Sequence, residues 1–148
     1  MSAPFASTSW LDELASAIRS STDVRAAAAS WVYGPIALVF DGSDEHGVEA
    51  AAVRIDVQLG EVRSVEAFDP ARSALVPFVL SGSLDRWRAV FAGSLEPYAA
   101  ILEAKLRSRG DLPTLQRSRD LLAAIAAAGG TVSTIWQDEQ EPASASAG

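Results

Sequence analysis

A chain of 148 residues has the length of one domain and can bury a sizeable core without covalent cross-links. Because it contains no cysteine and a single histidine, His46, it cannot form disulfides, a thiol nucleophile, a thiolate metal site or a metal site of several histidines. Its formal net charge of -7 has the wrong sign for tracking phosphate backbones, so we expect no nucleic-acid partner.

Targeting and membrane signals are not apparent. The N-terminal region lacks the basic start and the continuous apolar core of a signal peptide. No segment approaches the roughly eighteen uncharged apolar residues that a transmembrane helix needs. These features predict a cytoplasmic protein without stable insertion in a membrane.

Two helices are predicted in residues 1–33. Behind Ser9, apolar side chains recur every three or four residues, which predicts an amphipathic helix over residues 9–20. Thr22 or Asp23 can cap a second, alanine-rich helix. We treat these helices as a segment that precedes the main domain.

Strands are predicted after the Gly34-Pro35 break, at residues 36–40, 48–59, 62–68 and 74–80. The first is a continuous apolar run, typical of a strand covered on both faces. The second alternates and places Leu59 on its buried face. Pro77 lacks an N–H donor, which puts the fourth strand at an edge or a bulge. Four consecutive strands with short links favour an antiparallel meander.

The second half of the chain is predicted to be mainly helical. Helices are expected over residues 84–92, from about residue 96, and over residues 111–129, with a short fifth strand at residues 104–109. Ser83 and Asp111 are the expected N-cap residues of the first and last of these helices. Residues 137–148 predict a disordered tail, which leaves residues 34–136 as the main domain.

No arrangement of side chains indicates a catalytic site. His46 stands in a polar loop, where a single histidine is typically a solvated surface residue. A Ser-His-Asp arrangement stays open, because triad members need not be adjacent, but no Gly-x-Ser-x-Gly pattern occurs. Neighbouring acids, typical of a helix start, a turn and a tail, are Asp12-Glu13, Asp44-Glu45, and Asp138, Glu139 and Glu141. We expect no metal and no cofactor.

The region from residue 78 to residue 125 carries an ordered set of short motifs. They are Leu80-Ser81-Gly82-Ser83, Trp87, Gly93, Glu96-Pro97, Lys105-Leu106-Arg107 and Gly110-Asp111. In this order they resemble the sterol carrier protein 2 (SCP-2) lipid-transfer domain, and the resemblance covers residues 34–125. Similar domains carry a glycine before the Lys-Leu pair, where this chain has Ala104. We therefore expect the added methyl group to narrow the tunnel.

The resemblance implies an α/β (α+β) fold in which helices cover one side of a five-stranded, mostly antiparallel sheet and enclose an apolar tunnel. Proteins similar to it bind sterols, fatty acids, acyl-CoA thioesters or isoprenoid lipids. The ligand-binding side chains that it implies are Phe40, Phe78, Trp87, Phe91, Tyr98, Ile101, Leu102, Leu106, Leu115, Leu122 and Ile125. Helical periodicity by itself favours packed core, so the tunnel follows from the resemblance alone.

Three functions are compatible with these features. The leading hypothesis is a protein that binds and carries a hydrophobic ligand. The alternative is a small biosynthetic enzyme or accessory protein that acts on a hydrophobic polyketide or terpenoid intermediate in the same cavity. The third is an interaction module with a collapsed cavity, a partner subunit or homodimer whose interface uses Trp10, Trp31 and the N-terminal helices.

Overall fold

A computed structural model describes residues 3–43 and 49–135. Its strands are β1 (Ala3–Pro4), β2 (Ile36–Phe40), β3 (Ala51–Gln58), β4 (Glu61–Phe68), β5 (Phe78–Gly82), β6 (Arg107–Arg109) and β7 (Thr134–Ile135). Its helices are α1 (Thr8–Ser20), α2 (Thr22–Ala27), α3 (Leu84–Phe91), α4 (Pro97–Leu102), α5 (Leu112–Arg117) and α6 (Arg119–Gly130). The predictions for His46, for Asp44-Glu45 and for the tail, residues 137–148, lie outside the described residues.

The main sheet has five strands in the order β4-β3-β2-β5-β6. The predicted five-stranded, mostly antiparallel sheet is confirmed, because only the β2–β5 pair is parallel. The four-strand meander is wrong, since it stops after β4 and the chain then returns to place β5 beside β2. This return makes β2 the central strand and accounts for its continuous apolar run.

A 3₁₀ helix, Pro70–Leu75, makes the return and shortens the predicted fourth strand. The Asp69 carboxylate accepts a hydrogen bond from the Ala71 N–H at 3.0 Å and starts this helix behind the Asp-Pro pair. The strand therefore begins at Phe78 rather than at residue 74. Pro77 precedes the strand, so its missing N–H costs no ladder hydrogen bond and requires neither an edge nor a bulge.

The N-terminal helices belong to the same core as the sheet. Helix α1 starts earlier than predicted, because the Ser7 hydroxyl, not that of Ser9, accepts the capping bond from the Trp10 N–H at 3.2 Å. Ser21 likewise caps α2 instead of Thr22 or Asp23. The apolar stripe of α1 packs with the inner face of the sheet in one cluster.

Trp10 and Trp31 are buried, with 0% and 2% of their surface exposed. The Trp10 indole N–H donates to Thr134 Oγ1 at 2.7 Å, and the Trp31 indole N–H donates to the Gly34 carbonyl at 2.9 Å. Because the rings are packed and their N–H groups are satisfied inside the fold, the prediction that they form an interface patch is wrong.

The C-terminal half follows the predicted order of elements. Ser83 and Asp111 cap α3 and α5 as expected. The long final helix is in fact two, since the backbone leaves the helical conformation at Ser118 between α5 and α6. Strand β6 starts later than predicted, because residues 103–106 form the turn that ends α4.

Ala104 lies in that turn with a φ of 60°, the left-handed region that favours glycine. Its side chain is exposed, so its methyl group does not narrow the interior and that expectation is wrong. Backbone conformation would favour a glycine at this position, and this chain accepts the strain of an alanine instead.

We expect Ala104→Gly to raise the free energy of unfolding by about 0.5–1 kcal/mol. Replacing the left-handed alanine relieves backbone strain and stabilises the folded state by about 1–2 kcal/mol. Glycine also gives the unfolded chain more conformational entropy, which lowers the free energy of unfolding by only about 0.5–1 kcal/mol. Urea denaturation measures the change. Ala99→Gly, inside the neighbouring α4, is the matched control and should lower stability by about 1 kcal/mol. A loss of stability in Ala104→Gly would contradict the explanation.

A second, two-stranded sheet joins the ends of the described chain and was not predicted. Strands β1 and β7 pair in parallel, with Ala3 opposite Thr134 and Pro4 opposite Ile135. Two-residue strands carry too little periodicity to be identified from sequence. Within the described residues, no helix combines the length and the apolar character needed to cross a bilayer.

Candidate functional site

The space between the helices and the sheet is largely filled by aromatic rings. Phe40 on β2 meets the Trp87 ring edge-on at 5.2 Å between centroids, and Trp87 stacks on Phe91 at 5.6 Å. The Trp87 indole N–H donates to the Val39 carbonyl at 2.9 Å and fixes this ring against β2. Phe5 and Trp10 extend the cluster on the N-terminal side.

A small cavity with a volume of about 10 Å³ lies between the layers. Its lining is entirely apolar and consists of Leu38, Leu80, Trp87, Val90, Phe91, Pro97, Leu122, Ile125 and Ala126. A volume of this size is about the minimum that holds one water molecule. The apolar cavity is therefore present but nearly closed in this conformation.

The sheet side of the cavity is set by the parallel pairing of β2 and β5. Leu38 lies opposite Leu80 in the register, and both point to the helix-covered face that Phe40 and Phe78 also share by alternation. On the helix side, three- and four-residue spacing brings Trp87, Val90 and Phe91 of α3 toward α6.

Phe91 lines this cavity and also two hollows at the surface. One hollow, of about 190 Å³, lies between the end of α3 and Gly129-Gly130. The other, of about 170 Å³, lies between Leu95-Glu96 and α6. Phe91 contributes to the lining of all three spaces and is only 7% exposed. Phe91 is thus common to all three linings, and Val90, Pro97 and Ala126 are shared by the cavity and the second hollow.

The two glycines at the end of α6 make room for Phe91. A Cβ atom at Gly129 would lie 2.4 Å from the Phe91 ring, and one at Gly130 would lie 2.4 Å from the Phe91 carbonyl oxygen. Both distances are far below van der Waals contact. Helices α3 and α6 therefore approach each other more closely than any other residue at these positions would allow.

The eleven predicted binding residues separate into three groups. Trp87, Phe91, Leu122 and Ile125 line the cavity. Buried in the surrounding core are Phe40, Phe78, Tyr98, Leu106 and Leu115. Ile101 is half-buried, and Leu102 is 63% exposed. Tyr98 and Ile101 are three residues apart and face the core, so the next position on α4 turns outward.

Five lining residues were not among those predicted: Leu38, Leu80, Val90, Pro97 and Ala126. Alternation from Phe40 and Phe78 identifies Leu38 and Leu80, and the stripe of α3 identifies Val90. Pro97 and Ala126 carry no distinguishing signal, because proline is typical of a helix start and alanine of a helix interior.

Charged side chains at helix starts make hydrogen bonds between helices and within them. Arg119 at the start of α6 makes two hydrogen bonds to the Glu96 carboxylate, at 2.7 and 3.1 Å, and its guanidinium lies 5.4 Å from the centre of the Tyr98 ring. The hydrogen bond to Glu96 raises the pKa of Arg119. Hydrogen bonding from the Thr114 side chain lowers the pKa of Asp111, the cap of α5. These interactions position helices and leave the interior apolar.

No acidic side chain is buried in the part of the chain that the structure describes, where Thr114 is the buried polar residue. Residues 3–43 and 49–135 also contain no group of three or more histidine, cysteine or acidic side chains that could hold a metal ion. The arrangement of the described site suits contact with an apolar molecule.

An α+β domain with helices on one face of a mixed five-stranded sheet and an apolar interior between them is the class that these features define. The fold is that of sterol carrier protein 2. A crystal structure of sterol carrier protein 2 matches with a TM-score of 0.75 and 24% identity, over 86% of this chain and 98% of that one. No protein-family model and no curated protein matches the sequence.

Two further solved structures support the same fold. A protein of Thermus thermophilus described as possibly a sterol carrier protein matches with a TM-score of 0.75 and 23% identity, over 91% of this chain and 94% of that one. The apo form of sterol carrier protein 2 from Yarrowia lipolytica matches with a TM-score of 0.54 and 12% identity, over 85% of this chain and 92% of that one. The resemblance identified in the sequence is thus confirmed for the fold.

Proposed function

We propose that this chain binds and carries a hydrophobic ligand, of the sterol, fatty acid, acyl-CoA or isoprenoid kind, between its helices and its sheet. The observation that carries the proposal is the all-apolar lining of the cavity in the middle of the fold. A ligand there would be held by removal of its apolar surface from water, about 25 cal/mol per Å², less the cost of ordering it. The names of the matched structures, a sterol carrier protein 2 and a possible sterol carrier protein, support the sterol among these ligands.

Binding requires the interior to open, because about 10 Å³ holds no lipid. The path that we propose runs between α3 and α6, where Phe91 is the residue that lines the cavity and both surface hollows. Rotation of its side chain costs the ring contacts with Trp87 and Trp10. The bound apolar ligand replaces those contacts.

The test is direct detection of a bound apolar molecule. We expect native mass spectrometry of the purified protein to show a copurified lipid, or the delipidated protein to bind a fluorescent fatty acid or sterol with a micromolar dissociation constant. Absence of both at micromolar concentration would refute the proposal.

A matched pair of variants on α6 locates the bound molecule. Ala126 lines the cavity, so Ala126→Leu fills it and should weaken probe binding at least tenfold. Ala124 is half-buried on another side of the helix and lines neither the cavity nor the hollows next to Phe91. Ala124→Leu should therefore bind the probe as the parent protein does, and equal weakening by both variants would place the ligand elsewhere.

The alternative, an enzyme or accessory protein acting on a polyketide or terpenoid intermediate, calls for a polar group inside the cavity. Among the described residues, none of the cavity-lining side chains is polar, so no observation favours this reading. Cytoplasmic location and homodimer formation stay predictions.

A further inference from the structure

Exposed apolar side chains are concentrated at one end of the main sheet. Within the described residues, the large apolar side chains that are exposed are Val32, Tyr33, Leu59, Leu75, Leu102 and Leu112. All but Leu102 lie in or beside the connections that precede β2 and β5 or follow β3 and β6. β2 runs parallel to β5 and antiparallel to β3, and β5 runs antiparallel to β6. The starts of β2 and β5 and the ends of β3 and β6 therefore lie at the same end of the sheet. Leu102 precedes β6, which begins at the opposite end of the sheet.

Three of these residues, Val32, Tyr33 and Leu59, form what we call the apolar tip. The Leu59 N–H donates to the Trp31 carbonyl at 2.9 Å, which fixes the β3–β4 turn against the segment that carries Val32 and Tyr33. The Tyr33 ring rests edge-on against Trp31, with centroids 5.0 Å apart. The exposed fractions of Val32, Tyr33 and Leu59 are 54%, 44% and 61%. The tip is therefore fixed to the fold through Trp31 and is open to solvent on its outer side.

Leu59 is an unfavourable residue for its position. The alternation of β3 predicts it on the buried face, but it is the first residue of the turn, with a φ of 48°, and it is 61% exposed. Turns of this kind favour asparagine or glycine. Neither burial nor backbone conformation explains a leucine here, and strained, exposed positions are often functional.

We propose that the apolar tip docks on the surface of an uncharged lipid bilayer, from which the carrier takes its ligand. This inference rests on the proposed function. Aliphatic and tyrosine side chains that project from separate loops suit insertion among lipid headgroups better than a flat protein surface. Beside the tip, the charge of Glu61 is offset by Arg63, which hydrogen-bonds the Gln58 side chain. The net charge of the whole chain, -7, therefore opposes an anionic surface and leaves a zwitterionic one as the fitting partner.

The experiment compares flotation of the full chain with phosphatidylcholine vesicles and with vesicles in which a third of the lipid is phosphatidylserine. We expect binding to phosphatidylcholine that weakens with phosphatidylserine. Leu59→Asn should weaken binding to phosphatidylcholine about three- to tenfold, because it removes an inserting leucine. The same change should raise the urea midpoint, since asparagine tolerates the left-handed conformation. Leu102→Asn, at the opposite end of the sheet, is the control and should bind vesicles as the parent protein does.

Unchanged vesicle binding by Leu59→Asn, equal weakening by Leu102→Asn, or stronger binding to phosphatidylserine would each overturn the docking proposal. So would sedimentation in which the parent protein dimerises through Leu59 and ignores vesicles, because the occupant of the tip is then a second copy. Titration of Leu59→Asn with a soluble fluorescent fatty acid separates the two proposals. If Leu59→Asn keeps both probe binding and vesicle binding, only the docking proposal is rejected. If the parent protein binds no probe, the carrier proposal is rejected.

Discussion

Replacing Phe91 with alanine is expected to lower the free energy of unfolding by about 3–5 kcal/mol. The ring is 7% exposed and packs against Trp87, Trp10 and Phe40 at centroid distances of 5.6, 5.6 and 6.3 Å. Its removal forfeits these contacts and leaves space that the glycines of α6 cannot fill. Urea denaturation gives the size of the loss.

The same replacement should accelerate uptake of an apolar ligand. Phe91 lines the cavity and both surface hollows, of about 190 and 170 Å³, so we expect loss of the ring to widen the passage between them. Stopped-flow fluorescence with a fatty acid probe measures the association rate, which we expect to rise about tenfold or more. This corresponds to about 1.4 kcal/mol removed from the barrier.

Phe5→Ala is the matched control for this effect. Phe5 is 2% exposed in the same aromatic cluster but lines none of the three spaces, so its loss should destabilise the protein without faster uptake. Phe91→Leu, which keeps more of the packing, serves if the alanine variant does not fold. Equal association rates in the Phe5 and Phe91 variants would show that Phe91 is ordinary core.

Alanine at Gly130 is the second large effect, an expected loss of about 1–3 kcal/mol in the free energy of unfolding. Helix propensity argues the other way, because alanine is favoured over glycine by about 1 kcal/mol within a helix. The steric term prevails, since the new methyl group would stand 2.4 Å from a backbone carbonyl oxygen that cannot move without shifting α3.

Gly129→Ala provides an internal comparison, because its methyl group meets the Phe91 ring rather than the backbone. In a Phe91→Ala background, Gly129→Ala should become neutral or stabilising, whereas Gly130→Ala should remain destabilising. A double-mutant cycle by urea denaturation measures this coupling. If Phe91→Ala relieved both variants equally, the contact with the Phe91 carbonyl would not be the cause of the Gly130 effect.

Local chemistry made much of the fold predictable. The Ser83 and Asp111 caps and the strand alternation of β3 each depend on neighbours within a few residues, and each is found where the sequence indicates. The parallel placement of β5 depends on pairing between Ile36–Phe40 and Phe78–Gly82, which are far apart in the chain. Hydrophobic periodicity within a strand does not indicate which other strand it pairs with.

The candidate site was predictable by residue type but not by volume. Helical spacing placed Trp87, Leu122 and Ile125 on inward faces, and they line the cavity. Whether inward faces touch or stand apart depends on how all the surrounding side chains interlock, which no window of sequence contains. Leu59 shows the limit of alternation, because the turn ends the strand one residue before it.

The pairing of β1 with β7 has a consequence for synthesis. Phe5 follows β1 and is seated in the aromatic cluster, but the β-partner of Ala3–Pro4 is Thr134–Ile135. A chain emerging from the ribosome therefore holds its N-terminal strand unpaired until residue 135 has left the exit tunnel. Contacts this distant in sequence form late. Among the described residues, Ala3–Pro4 is thus synthesised first and its β-partner Thr134–Ile135 last.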